Sequence, residues 1–242
     1  MQIPLLTYIA MGSQLGLVVT ASLRYKVVSD EMKLLAAFFA AMFLISSLQV
    51  ILAVRSLSNL WIYHFANLIS YSFYLWIFSL WQPNKRIAKF FRREFIVGYV
   101  VIWLVSKVTI ESFDSFDYFS SGVAKVVTLC IVCYTMITLV DRSSATLLYD
   151  RFLILSGVLI SSISSALVYS SANLISYLQH DEMVKIWSIH WTASIIANLL
   201  FATAFLLRRT ESDAIGKTVN LPFAFSTLLK KQDKDWHSRY IS

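Results

Sequence analysis

Charge, glycine, proline and cysteine are all scarce in this sequence. Only 14% of its 242 residues are charged, against about a quarter in an ordinary soluble domain, which excludes a water-facing surface of normal composition. The six glycines and three prolines are too few for the Gly- or Pro-broken mid-membrane helices common in secondary transporters. Pro4, Pro83 and Pro222 all stand at or beyond the ends of the apolar runs, and no internal repeat is visible. The two cysteines, Cys130 and Cys133, form a C-x-x-C inside an apolar run. There they read as small packing residues rather than a redox pair, and they say nothing about redox compartment.

What is abundant is apolar length. Hydrophobic residues make up 57% of the chain and the mean hydropathy is +0.65, the profile of an integral membrane protein. At about 20 residues per helical crossing, the length leaves room for seven or so spans and for no large soluble domain. Seven runs qualify: Ile3–Ser22, Leu34–Val54, Asn59–Trp81, Phe95–Ile110, Tyr118–Val140, Arg151–Ser171 and Lys185–Leu207. The expected fold is an all-α, seven-transmembrane-helix bundle over residues 1–207, followed by a basic tail over 208–242. The fourth run is the shortest and gains length if Ala88–Phe91 joins it while Arg92 and Arg93 snorkel to the interface.

Orientation follows from the basic residues, which are retained on the cytoplasmic side. With the N-terminus outside, 17 of the 21 Lys and Arg residues fall on inner segments, leaving Arg55, Lys107, Lys125 and Lys185. Glu111, Asp114, Asp117, Asp181 and Glu182 fall on outer loops. The expected arrangement is therefore N-out and C-in, in the cell membrane. The net charge of +7 then belongs to a cytoplasmic membrane face rather than to nucleic-acid binding. A cleaved signal peptide is not expected, because MQIPLLTY carries no positive charge ahead of the apolar core.

Two segments carry packing or surface signals. Gly157, Ser161 and Ser165 recur at four-residue spacing, which suits close helix approach better than a serine-lined pore. The Leu221–Ser242 tail sets Phe225, Leu228 and Trp236 against Lys230, Lys231 and Lys234, as expected of an amphipathic segment on anionic inner-leaflet lipids. A partner-protein dock is the alternative.

The candidate site comes from polar residues inside the spans. His64, Asn67, Tyr71 and Tyr74 share one face of the third run and should face the bundle, while Ile62, Phe65, Ile69 and Trp76 cover another. At ~1.5 Å per residue, His64, Lys125, His190 and Gln49 lie at similar depth in the outer half. A charged group there costs several kcal/mol unless it is paired, hydrated or able to snorkel. One reading lets the Lys125 ammonium reach Asp114 or Asp117. The other makes His64, Asn67, Lys125, His190, Gln49, Tyr71 and Asn198 the lining of a cavity for a small polar or anionic ligand. No metal or other cofactor is expected.

The run Y-H-x-x-N-L-I-S-Y-x-F-Y, from Tyr63 to Tyr74, and S-I-H-W-x-x-x-I-I-A-N-L-L-F-A, from Ser188 to Ala202, resemble the corresponding spans of small seven-helix bacterial membrane proteins. An acidic residue often stands in those proteins near the position held here by Ser70. The resemblance implies a topology and brings no activity with it. Of the functions open to such a bundle, a receptor or sensor module signalling through a cytoplasmic partner is preferred. A small-molecule or proton-coupled transporter is the alternative, and a membrane-embedded metal-dependent hydrolase comes third because no H-E-x-x-H or serine–glycine nucleophile motif is present. A retinal-type photoreceptor is disfavoured, since the seventh run has no lysine between Ile186 and Leu207.

Overall fold

The computed structural model describes residues 4–55, 57–115, 117–140, 145–170 and 180–207. All regular structure among them is helical: α1 (Leu5–Arg24), α2 (Asp30–Val54), α3 (Leu60–Leu80), α4 (Lys85–Phe90), a π-helical turn (Phe91–Phe95), α5 (Ile96–Thr109), α6 (Phe119–Val140), α7 (Ala145–Ser170) and α8 (His180–Leu207). The basic tail, with its expected amphipathic segment, lies outside the described residues.

Composition explains where these helices begin. Pro4 precedes α1 with an extended ψ of 141°, which suits a residue lacking a donor at a helix start. Asn84 caps α4, its side-chain oxygen accepting from the Arg86 backbone N–H at 2.9 Å. The fourth expected run does borrow length: α4, the π turn and α5 follow one another without a break from Lys85 to Thr109. Three helices start earlier than hydropathy placed them, α2 at Asp30, α7 at Ala145 and α8 at His180, because a helix continues through polar residues once its backbone hydrogen bonds are made.

Among the described residues five helices are long and apolar enough to cross a membrane: α1, α2, and the stretches Phe119–Leu139, Tyr149–Val168 and Val184–Leu207 of α6, α7 and α8. The third run falls outside this set because its Tyr, Trp, His and Asn residues depress its hydropathy. The fourth does so because α5 alone is 14 residues long. Large apolar side chains face outward on every side, with Val108 86%, Leu23 80% and Ile137 69% exposed. Exposure on that scale is costly in water and natural in lipid, so the chain is a multi-span membrane protein.

The helices close a ring. α1 packs on α2, α2 on α3, α3 on α5 and α6, α5 on α6, α6 on α7, α7 on α8, and α8 returns to α1. Its main core runs through Leu17, Met32, Leu35, Phe39, Phe78, Leu155 and Phe205, while Tyr71, Tyr99, Trp103 and Ala124 form a smaller cluster. Gly157 accounts for the close approach of α7 and α8: a Cβ there would stand 2.5 Å from Cε1 of Phe201, whose ring stacks on Phe39 at 4.8 Å. The packing expectation for this small-residue stripe is met. The corresponding expectation for Cys130 and Cys133 is corrected, since both are free thiols exposed on the outside of α6, where a small polarizable side chain sits readily against lipid.

Candidate functional site

Polar chemistry gathers at the two ends of the ring. At one end Glu31 Oε2, on the first turn of α2, accepts from Trp81 Nε1 at 2.9 Å and from Arg151 Nη2 at 3.1 Å. The Arg151 guanidinium also lies 5.7 Å from the Trp81 ring centroid. These three residues fasten α2, the end of α3 and α7, and all are accounted for as partners of one another.

The opposite end holds a denser and drier cluster. Lys107, in the last turn of α5, places its Nζ 2.7 Å from Glu111 Oε2, 2.9 Å from Asp117 Oδ1 and 3.2 Å from Ser120 Oγ. The Lys107 side chain is 4% exposed and those of Glu111, Asp117 and His64 are 0% exposed. Lys107 and Glu111 are spaced i, i+4, so the chain turning out of α5 carries the acid back over the lysine. Both carboxylates also meet the start of α6. Glu111 Oε1 accepts from the Phe119 backbone N–H, and Asp117 accepts from the Ser120 hydroxyl and, at 2.7 Å, from Ser121 Oγ. Acidic groups at a helix N-terminus gain from the helix dipole as well as from these donors.

From α3, Asn67 Nδ2 donates to Asp117 Oδ2 at 2.9 Å and to Ser121 Oγ at 2.6 Å. His64 places Nε2 3.0 Å from the Ser115 backbone oxygen, with its ring edge-on to Phe113 at 5.4 Å. Burial pushes the Asp117 carboxyl up, but the donors Ser120, Asn67 and Lys107 around it outweigh burial and hold it below the usual carboxylate range.

One tautomer of His64 follows from its partners. A backbone carbonyl only accepts, so Nε2 carries the hydrogen in the bond to Ser115. In the neutral ring Nδ1 is then a bare lone pair. That atom is buried without a hydrogen-bond partner and lies 3.7 Å from Asp117 Oδ1, beyond hydrogen-bond reach. Two electron-rich atoms thus face each other in a buried site.

His64, Glu111 and Asp117 also bring one ligand atom each within 4.8 Å of one another, close enough for a single ion. The Lys107 ammonium, however, already stands against both carboxylates. The positive charge that would compensate them is covalently supplied, and a divalent ion would have to displace it.

The residues singled out by sequence disperse over the ring. His64 and Asn67 meet at Asp117. On the rest of their helix face Tyr71 is buried, whereas Phe65 and Ile69 on the opposite face are exposed; Ile62, assigned to that outer face, is buried instead. Lys125 does not meet Asp114 or Asp117 in an ion pair among the described residues; its Nζ lies 4.8 Å from the Tyr71 ring centroid, and Lys107 takes the place against Asp117. His190 Nδ1 lies 3.4 Å from both Ser164 Oγ and Ser165 Oγ of α7, so the two histidines find their partners on different elements. Asn198 Nδ2 donates to Ser13 Oγ at 2.9 Å, tying α8 to α1. The Gln49 backbone oxygen accepts from Asn59 Nδ2 at 3.0 Å, while its buried side-chain Nε2 has no hydrogen-bond partner.

The residues that sequence reasoning missed as site members are Lys107, Glu111, Ser120 and Ser121, while Asp117 was named only as a partner for Lys125. The i, i+4 spacing of Lys107 and Glu111, and the D-Y-F-S-S run at the head of α6, are the signals that point to them. No family model, curated protein or solved structure matches the chain.

Proposed function

We propose that the chain is a seven-span protein of the cell membrane, N-terminus outside and C-terminus in the cytoplasm, working as a receptor- or sensor-like module. Its responsive centre is the buried cluster of His64, Asn67, Lys107, Glu111 and Asp117, which this orientation puts at the outer end. The one-sided distribution of Lys and Arg supports the orientation, and the unbroken helical path from Lys85 to Thr109 supports counting the fourth run as a crossing.

The observation that carries the sensor reading is the bare Nδ1 of His64 facing Asp117 across 3.7 Å. A buried imidazole nitrogen set against a carboxylate responds to a small cationic or polar ligand, of which the proton is the smallest. An anionic ligand suits it less, because Lys107 is already matched by two carboxylates. Protonation of Nδ1 converts a repulsive contact into a charge-assisted N–H···O bond and draws α3 toward the start of α6. The groups facing that nitrogen are Lys107 from α5, Glu111 and Asp117 from the connecting loop, and Lys125 further along α6; the charged residue at the near end of α2 is the exposed Arg55. A cytoplasmic partner then reads the inner ends of the helices.

The test places an environment-sensitive fluorophore on Asn84→Cys, at the inner end and exposed, in a Cys130→Ser, Cys133→Ser background. In proteoliposomes, acidifying the compartment that faces the His64 end should change the emission, and His64→Gln should abolish the change while retaining a donor to Ser115. A response from the opposite compartment would overturn the orientation. A response that survives His64→Gln would overturn the assignment of the centre.

A further inference from the structure

At the end of the bundle away from His64, a cleft of about 240 Å³ opens between α3, α5 and α6. Leu75, Gly98, Ile102 and Val127 line it, with Phe90, Phe95 and the carboxylate-bearing Glu94, which Arg93 accompanies, toward the basic turn. The π turn shapes its mouth, since one extra residue per turn there rotates Phe91 into the core while Phe90 and Phe95 stay at the cleft. Gly98 opens its floor: a Cβ at that position would meet nothing within 4 Å.

The cleft starts one residue from the most basic stretch of the described chain. Lys85, Lys89, Arg92 and Arg93 line a shallow hollow of about 400 Å³ on α4 and the π turn. All four are exposed. Arg93 is 3.9 Å from Glu94 and Arg92 Nε donates to Ser79 Oγ at 3.3 Å, whereas Lys85 and Lys89 have no ion-pair partner among the described residues. The lengths also correspond. From Phe90 to Ile102 the helix rises about 18 Å at ~1.5 Å per residue, against roughly 15 Å for half of a ~30 Å hydrocarbon core. The cleft therefore runs inward from headgroup level by the depth of one leaflet.

We propose that this cleft and the basic turn form a binding site for one anionic phospholipid, an acyl chain lying between α3, α5 and α6 and the phosphate held by Lys85, Lys89 and Arg93. An open apolar groove facing lipid is filled by a chain in any case; the adjacent cations, of which Lys85 and Lys89 have no ion-pair partner among the described residues, are what select a negative headgroup. The site is separate from the His64 cluster and does not depend on which way the protein is threaded.

The test is native mass spectrometry of the full chain in detergent with phosphatidylglycerol or phosphatidylcholine of identical acyl chains, and with glycerol phosphate as a chainless control. The wild type should retain one phosphatidylglycerol at least tenfold in preference to phosphatidylcholine and no glycerol phosphate. Gly98→Leu, which fills the floor, should reduce that occupancy at least tenfold. The surface double variant Lys89→Gln, Arg93→Gln should erase the preference between the two lipids while leaving the melting temperature unchanged. Equal retention of both lipids by the wild type, wild-type preference in the double variant, undiminished binding in a folded Gly98→Leu protein, or equal retention of glycerol phosphate would each overturn the proposal.

Discussion

His64 Nδ1 and Asp117 Oδ1 face each other at 3.7 Å in a site from which both side chains are wholly shielded, and the bond from His64 Nε2 to Ser115 leaves Nδ1 without a hydrogen when the ring is neutral. The unusual feature is that two acceptors face each other, since buried polar groups are ordinarily paired. Around it the pairing is dense: Lys107 answers both Glu111 and Asp117, and Asn67, Ser120 and Ser121 complete the carboxylate of Asp117.

The two intramembrane lysines should behave differently when their charge is removed. Lys107→Met leaves two buried carboxylates without a cation and should destabilise the protein by about 3–5 kcal/mol. Lys125→Met gives up a contact with the Tyr71 ring, worth about 0.5–2 kcal/mol, together with the longer-range attraction of Asp117. Thermal unfolding in detergent measures both, and a larger loss at Lys125 would contradict the placement of the ion pair.

Acid should weaken the His64 cluster through Asp117. Its carboxyl is held below the usual range in the folded state, so its contribution is fully present above the unfolded value of about 3.9 and is lost as pH falls below that value toward the folded one. Asp117→Asn should therefore melt well below the wild type at pH 7, and the gap between them should narrow as pH is taken below about 4. A gap that widens on acidification would give the shift the opposite sign.

Close packing of α7 on α8 predicts a steric penalty at Gly157. Gly157→Val puts branched carbons into the Phe201 ring, which its stacking on Phe39 keeps from moving freely. A loss of about 1–3 kcal/mol is expected from overpacking of this kind. Gly98→Ala, where a Cβ meets open space, is the matched control and should be neutral or slightly stabilising.

Much of the fold was legible because apolar length and small-residue spacing are local signals. The seven long runs, the continuation of the fourth through Ala88–Phe91 and the α7–α8 contact at Gly157 all follow from residues within one helix or its immediate neighbour. The site was legible by half. His64 and Asn67 stood out as polar residues on an apolar helix, and the face they share is the one turned inward. Their partners did not, because Glu111 and Asp117 lie in a short polar loop that reads as solvent-facing, and only tertiary folding shows that loop tucked back against α3. The same blindness misassigned the cation: depth along a helix placed Lys125 near the loop acids, but rotation about the helix axis turns it to Tyr71 and leaves Lys107 to meet them. His190 shares a depth with His64 and nothing more, since α8 packs on α7 and α1.

The most direct test of the outer-end centre is the ring nitrogen spectrum of ¹⁵N-histidine-labelled full-length protein, with the His64 signals assigned by their absence in His64→Gln. With the ring neutral, Nε2 should carry the hydrogen and Nδ1 should be bare. On acidification Nδ1 should gain a hydrogen over the same pH interval in which the fluorophore at Asn84→Cys responds. A neutral ring with its hydrogen on Nδ1, or a ring that gains no second proton across the interval of that response, would contradict the account.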